Sequence, residues 1–131
     1  LIIASYHGIP KKYFDKGDPY HCYCHKTTRL ISEKFSSIKI KTTFQSRFGP
    51  QEWLQPYTDK TLENLPKEGV KNVLTICPGF ASDCVETLEE IQIQAKESFL
   101  NSGGENFDMV PCLNDNDDHI LLLKSLIERN I

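Results

Sequence analysis

The sequence predicts an α/β fold, a parallel sheet of about four strands with helices on both faces. Two observations carry it. Four strand-like runs are each followed by a loop and a helix-like segment, and the longest of those segments repeats apolar residues at steps of three and four. Strand, crossover and strand in succession imply right-handed connections and parallel pairing. The 131 residues fit one domain, residues 1–131, large enough to bury a core without disulfides or a structural metal.

Residues 1–6 are apolar and end at His7-Gly8-Ile9-Pro10, so a buried strand enters a loop that stays turn-rich through Asp15-Lys16-Gly17-Asp18-Pro19. A helix is predicted over residues 25–35, with Leu30, Ile31 and Phe35 inward. Ile38, Ile40, Thr42 and Phe44 alternate with polar residues, the period of a second strand. A long loop over 45–57 leads to a helix near 59–65. Residues 72–77 read as the third strand, stopped by Pro78-Gly79. The longest helix follows over 83–100, with Val85, Leu88, Ile91, Ala95 and Phe99 as its apolar stripe. A fourth strand over 107–112 and a helix over 117–129 complete the pattern.

Composition narrows the function. Hydrophobic residues are 39% and charged residues 25%, outside the range of disordered tails and membrane proteins. A net charge of −3 without a long basic run argues against a nucleic-acid partner. Five cysteines, an odd number, do not suggest a secreted disulfide framework. With no basic stretch before the first strand, a reduced cytoplasmic setting is expected. Peripheral contact with the inner membrane is left open. A strand at residue 1 and no Met lead us to expect a fragment of a longer protein.

Ligands of parallel α/β sheets bind at the carboxyl ends of the strands. The connections 7–20, 45–57 and 78–83 lie there, and the first two exceed the usual two to six residues. His7 stands just past a buried strand, where it can be a base or a metal ligand, or simply bond a nearby carbonyl. Asp83, Glu86, Glu89 and Glu90 open the longest helix. Asp83 suits the helix dipole, and the acids together could be a solvated face. Glu86 and Glu90 share a face four apart, and Glu86 would point to the same edge as His7. Crowded by other carboxylates and partly buried, Glu86 would have a raised pKa.

His21-Cys22-Tyr23-Cys24-His25 packs four ligand types into five residues, but Cys-x-Cys alone does not close a tetrahedral site. A loop that carries thiols is the simpler reading. Phe44, Phe48, Trp53 and Tyr57 could be core packing or aromatic walls for a flat ligand, with Arg47 available for its carboxylate. No phosphate-binding glycine motif or GxSxG elbow is present.

Ile2-Ile3-Ala4-Ser5-Tyr6-His7-Gly8-Ile9-Pro10 with Lys16-Gly17-Asp18-Pro19-Tyr20 resembles the signature of the ferrochelatases, which insert ferrous iron into a porphyrin. The resemblance continues in order through Phe44-Gln45-Ser46-Arg47-Phe48-Gly49-Pro50, Trp53 and Thr58-Asp59. It extends through Cys77-Pro78-Gly79-Phe80 and Asp83-Cys84-Val85-Glu86-Thr87-Leu88, and is closest to the proteobacterial branch. It implies a chelatase-like, Rossmann-like three-layer domain, the carboxyl-terminal of two, whose amino-terminal partner completes a porphyrin cleft.

Carried over by residue, the resemblance makes His7 and Glu86 the catalytic pair and the metal ligands, with Glu90 and Asp83 on a path for protons or metal. Gln45, Ser46, Arg47 and Trp53 border the porphyrin. Protoporphyrin IX and ferrous iron are then the substrates, with no tightly bound cofactor. Cys22 and Cys24 do not match the family's iron–sulfur ligands, so no such cluster is expected. The family often has His where this chain has Cys84, and the row of acids that some members continue meets Gln94 here.

The chemistry agrees. A porphyrin must lose two N–H protons to accept a divalent metal, and neutral His7 can take one. The Gly8-Ile9-Pro10 loop and aromatic walls could hold a bent macrocycle. Carboxylate oxygens are acceptable to ferrous iron in transit. Two alternatives are a cobalt or nickel tetrapyrrole chelatase and a non-catalytic tetrapyrrole-binding module.

Overall fold

The computed structural model describes residues 1–35 and 37–131. Its strands are β1 (Ile2–His7), β2 (Ile40–Gln45), β3 (Asn72–Ile76) and β4 (Asn106–Met109), all parallel in the order β2-β1-β3-β4. The chain therefore leaves β1 in one direction to make β2 and returns on the other side to make β3. That reversal puts a crevice beside the carboxyl end of β1, where ligands of such sheets sit. His7 pairs in register with Gln45, so two of the predicted site residues are neighbours across the sheet edge.

Each face of the sheet is covered. Ile3, Val73 and Phe107 face α3 (Thr58–Asn64) and the segment from Glu90 to Asn101, meeting Leu62, Ile91 and Phe99. Ala4, Tyr6 and Phe44 pack with Cys24 and Leu54 on the other face. Cys24 belongs to α2 (Tyr20–Ser32). Fully buried side chains such as Ile3, Leu62 and Phe99 each contribute on the order of 2 kcal/mol by leaving water. Phe99 also requires Gly104, because a Cβ there would lie 2.2 Å from its ring.

Four local expectations are corrected. The first loop contains a short helix, α1 (Lys11–Asp15). The predicted 25–35 helix begins earlier, at Tyr20, because the Asp18 carboxylate accepts the Tyr20 N–H at 2.9 Å and Pro19 serves as N-cap. The turn signal thus starts a helix. Leu30 and Phe35 point outward, and the buried positions of α2 are Cys24 and Thr28. Beta4 ends at Met109 rather than at residue 112.

The predicted 83–100 helix is three segments: α4 (Val85–Leu88), a π-helical stretch (Glu90–Ala95) and α5 (Lys96–Asn101). The Gln94 N–H reaches the Glu89 carbonyl, a wide i to i+5 step. Val85 and Leu88 are exposed, so the buried stripe starts at Ile91. The cause is tertiary. The Gln45 side chain bonds the Glu86 carbonyl at 2.7 Å, the acceptor a regular helix would offer to the Glu90 N–H. The final helix, α6 (Asp117–Glu128), buries His119 but leaves Leu121, Leu122 and Ile127 exposed.

Candidate active site

Beta1 delivers His7 to the sheet edge half-buried. Its Nδ1 lies 2.6 Å from the Gly8 carbonyl oxygen. A carbonyl only accepts, so Nδ1 carries the proton and the neutral ring's lone pair is on Nε2. The Tyr20 hydroxyl donates to the His7 carbonyl at 2.8 Å, and burial keeps that phenol protonated by raising its pKa. Gly8 donates its N–H to the Gln45 carbonyl at 2.7 Å. A Cβ on Gly8 would stand 2.7 Å from that oxygen and 3.3 Å from the Trp53 ring, so only glycine fits between them. The Trp53 indole donates to the Phe48 carbonyl at 2.9 Å and pairs its backbone with Pro10. Phe80 stands on another side of His7, with ring centres 6.3 Å apart.

Glu86 is half-buried on α4. Its pKa is lowered, first by the hydrogen bond from Cys84, then by its own backbone N–H, with attraction from His7 adding to them. The crowding by other carboxylates on which a raised pKa depended is not found here, and the shift runs the other way. At neutral pH Glu86 is ionised.

Glu90 is held by the second long loop. The Ser46 N–H donates to it at 2.6 Å, the Ser46 hydroxyl to its other oxygen, and Gln45 Nε2 approaches at 3.3 Å. Ser46 adopts a left-handed backbone (φ 61°) that turns both donors toward the carboxylate. Behind them lies a buried chain of polar groups. Ser5 donates to Gln45 Oε1 at 2.7 Å, and Thr58 links Ser5 and Thr43 at 2.9 Å each. With its oxygen occupied, the Gln45 amide must present its NH2 to Glu86 and Glu90.

The remaining candidates separate. Arg47 makes two bonds to Asp59, at 2.9 and 2.7 Å, and lies 4.2 Å above the Tyr57 ring. Its guanidinium is therefore paired with an exposed carboxylate in this structure. Asp83 binds Asn114 Nδ2 at 2.8 Å, the Thr87 hydroxyl at 3.0 Å and the Cys112 N–H at 3.3 Å. These bonds, Asn114 first, hold its pKa down, and they tie the loop after β3 to the chain after β4. That geometry is a clamp between two loops.

A cleft of about 340 Å³ is lined by Gln45, Ser46, Arg47, Asp59, Glu90 and Gln94 among others. His7, Glu86 and Trp53 are not on its walls. The structure thus gathers Gln45, Ser46, Arg47 and Glu90 around one cleft, leaves His7, Glu86 and Trp53 off its walls, and binds Asp83 into the contact with the chain after β4. Among the described residues, no three His, Cys, Asp or Glu side chains form a metal-binding group. Sequence reasoning missed Ser5 and Thr58. A hydroxyl inside an apolar strand was the only signal for the first. The His21 to His25 cluster occupies the start of α2, not a loop. Cys77, deep beside Gln45, has a thiol pushed up to about 12 by burial.

A four-stranded parallel sheet in the order β2-β1-β3-β4, with His7 at its switch point, defines the class by fold, a doubly wound α/β domain. The same fold is seen in a solved structure described as a cobalamin (vitamin B12) biosynthesis CbiX protein from Marinobacter aquaeolei VT8. The likeness has a TM-score of 0.59 at 13% identity and covers 98% of this chain and 94% of that one. The family model for ferrochelatase matches residues 1–131, and the chain belongs to the ferrochelatase family. Ferrochelatase from Rhizobium meliloti strain 1021 is 57% identical over 133 residues, covering all of this chain and 39% of the relative. Ferrochelatase from Marinobacter nauticus strain VT8 is 56% identical over 132 residues, covering 99% of this chain and 36% of the relative. The chain therefore spans less than two-fifths of the length of these relatives.

Proposed function

We propose that this chain is the carboxyl-terminal domain of a ferrochelatase, which inserts ferrous iron into protoporphyrin IX to form protohaem. The observation that carries the reading is the His7 tautomer. Nδ1 is committed to Gly8, so Nε2 is the acceptor at the switch point. The ring gives up two pyrrole protons as the metal enters. His7 Nε2 takes the first, and the ionised Glu86 stabilises the imidazolium that results. Glu90 lies four residues along and is the next carboxylate that could receive a proton or pass the metal inward, for which oxygen ligands suit ferrous iron.

The porphyrin is bounded by Trp53, beside Gly8, and by Gln45, Ser46 and Arg47. The Arg47–Asp59 pair is substantially exposed, so its net value is at most about 1 kcal/mol. A propionate carboxylate could take Asp59's place on the same planar fork. Iron is the substrate here and no resident cofactor is required. The amino-terminal domain supplies the other wall of the cleft, and the odd cysteine count supports a reduced, cytoplasmic setting. No helix among the described residues is long and apolar enough to cross a membrane.

The test is metal insertion by the intact protein, with Fe(II), Zn(II) and Co(II) offered separately on protoporphyrin IX and on sirohydrochlorin. Turnover of Fe(II) and Zn(II) on protoporphyrin supports the reading. Turnover confined to sirohydrochlorin, or porphyrin binding without insertion of any metal, contradicts it.

A further inference from the structure

The histidine pair of α2 is not used by the chemistry above. His21 and His25 are four residues apart on one helix, and their ring centres are 4.4 Å apart. A cation about 2.1 Å from one nitrogen of each ring, with those nitrogens about 90° apart, needs ring centres roughly 4.5 Å apart. The observed spacing leaves room for one cation shared by the two rings. Neither imidazole makes a hydrogen bond to a protein group among the described residues, so the ring nitrogens are uncommitted.

His21 is fixed in place. It stacks on Phe44 with ring centres 5.6 Å apart and packs against Phe14 at 4.8 Å. His25 is exposed and can swing onto a shared ion. His21 also lines a cavity of about 250 Å³ with Trp53, open for the waters that would complete the coordination. Cys24 is buried, whereas Cys22 is exposed.

We propose that His21 and His25 form a second binding site for a divalent transition-metal ion, separate from His7 and completed by water. Two neutral imidazoles select borderline ions such as Ni(II), Co(II), Zn(II) and Fe(II) over Mg(II) and Ca(II).

The probe is Ni(II), titrated calorimetrically into the intact protein in a non-coordinating buffer, with His7→Ala in every sample to silence the cleft. The site should be present in that parent, weakened roughly tenfold or more by His25→Gln as the chelate is lost, and unaffected by Cys22→Ser. Exposed His25 makes no internal hydrogen bond, so this variant keeps the fold, which circular dichroism checks. Broadening of both histidines' ring-proton signals by Ni(II) in the parent should accompany binding. Equal affinity in parent and His25→Gln would overturn the proposal. So would loss of binding in Cys22→Ser with His25→Gln unchanged, since the site would then be a thiolate.

Discussion

The Gln45 side chain donates to the main-chain oxygen of Glu86 at 2.7 Å, joining the last residue of β2 to α4, just before the π-helical stretch that carries Glu90. The same side chain accepts from Ser5 and approaches Glu90. One amide thus spans from β1 to the acids, and its orientation is set by a hydroxyl on the strand that ends in His7.

Ser5→Ala should therefore act twice. Leaving the buried Gln45 oxygen without its shortest donor costs on the order of 1–3 kcal/mol, measured by urea unfolding. Turnover should fall while porphyrin affinity changes little, because Gln45 can then flip away from Glu86 and Glu90. An unchanged unfolding midpoint and unchanged turnover would show that the amide is fixed by other contacts.

Gly8→Ala should destabilise the fold by roughly 1–3 kcal/mol, since the added methyl meets a backbone oxygen at 2.7 Å and cannot be relieved by a side-chain swing. A denaturation midpoint equal to the parent's would contradict that close approach.

Asp83 gives a pH signature. Its folded-state pKa lies below its unfolded value, so its contribution is fully present above about pH 4 and is lost as pH falls through the folded pKa. Asp83→Asn should lower stability at pH 7 and flatten the acid limb below about pH 4. Thermal midpoints from pH 2 to pH 7 measure both. Parallel curves for parent and variant would remove Asp83 from the clamp.

Cysteine reactivity should follow burial. Cys77, with its thiol pushed up to about 12, should resist iodoacetamide at pH 8 in the folded protein, while exposed Cys22 alkylates first. Peptide mass spectrometry gives the order, and early labelling of Cys77 would mean that the core beside Gln45 opens.

Much of this was legible in the sequence because it depends on neighbours along the chain. The alternation of β2, the apolar run of β1 and the Pro78-Gly79 stop each place a strand end, and hence His7 and Gln45, at one edge. What was not legible is tertiary. Nothing within residues 83–100 announces a π-helical step, which exists where Gln45 reaches the helix from β2. Val85 and Leu88 fit the helical period and are exposed all the same. The start of α2 was misread because Asp18-Pro19 signals a turn and a helix cap with the same residues. Glu86's pKa direction depends on Cys84 and His7, whose positions around the carboxylate are set only by the folded chain.

The central claim, that His7 Nε2 accepts the porphyrin proton, is tested most directly by zinc insertion into protoporphyrin with intact wild-type and His7→Ala proteins side by side. Porphyrin binding is measured on the same samples. The account predicts retained binding with turnover lower by about 100-fold or more in the variant. Wild-type turnover in His7→Ala, with porphyrin bound, would contradict it.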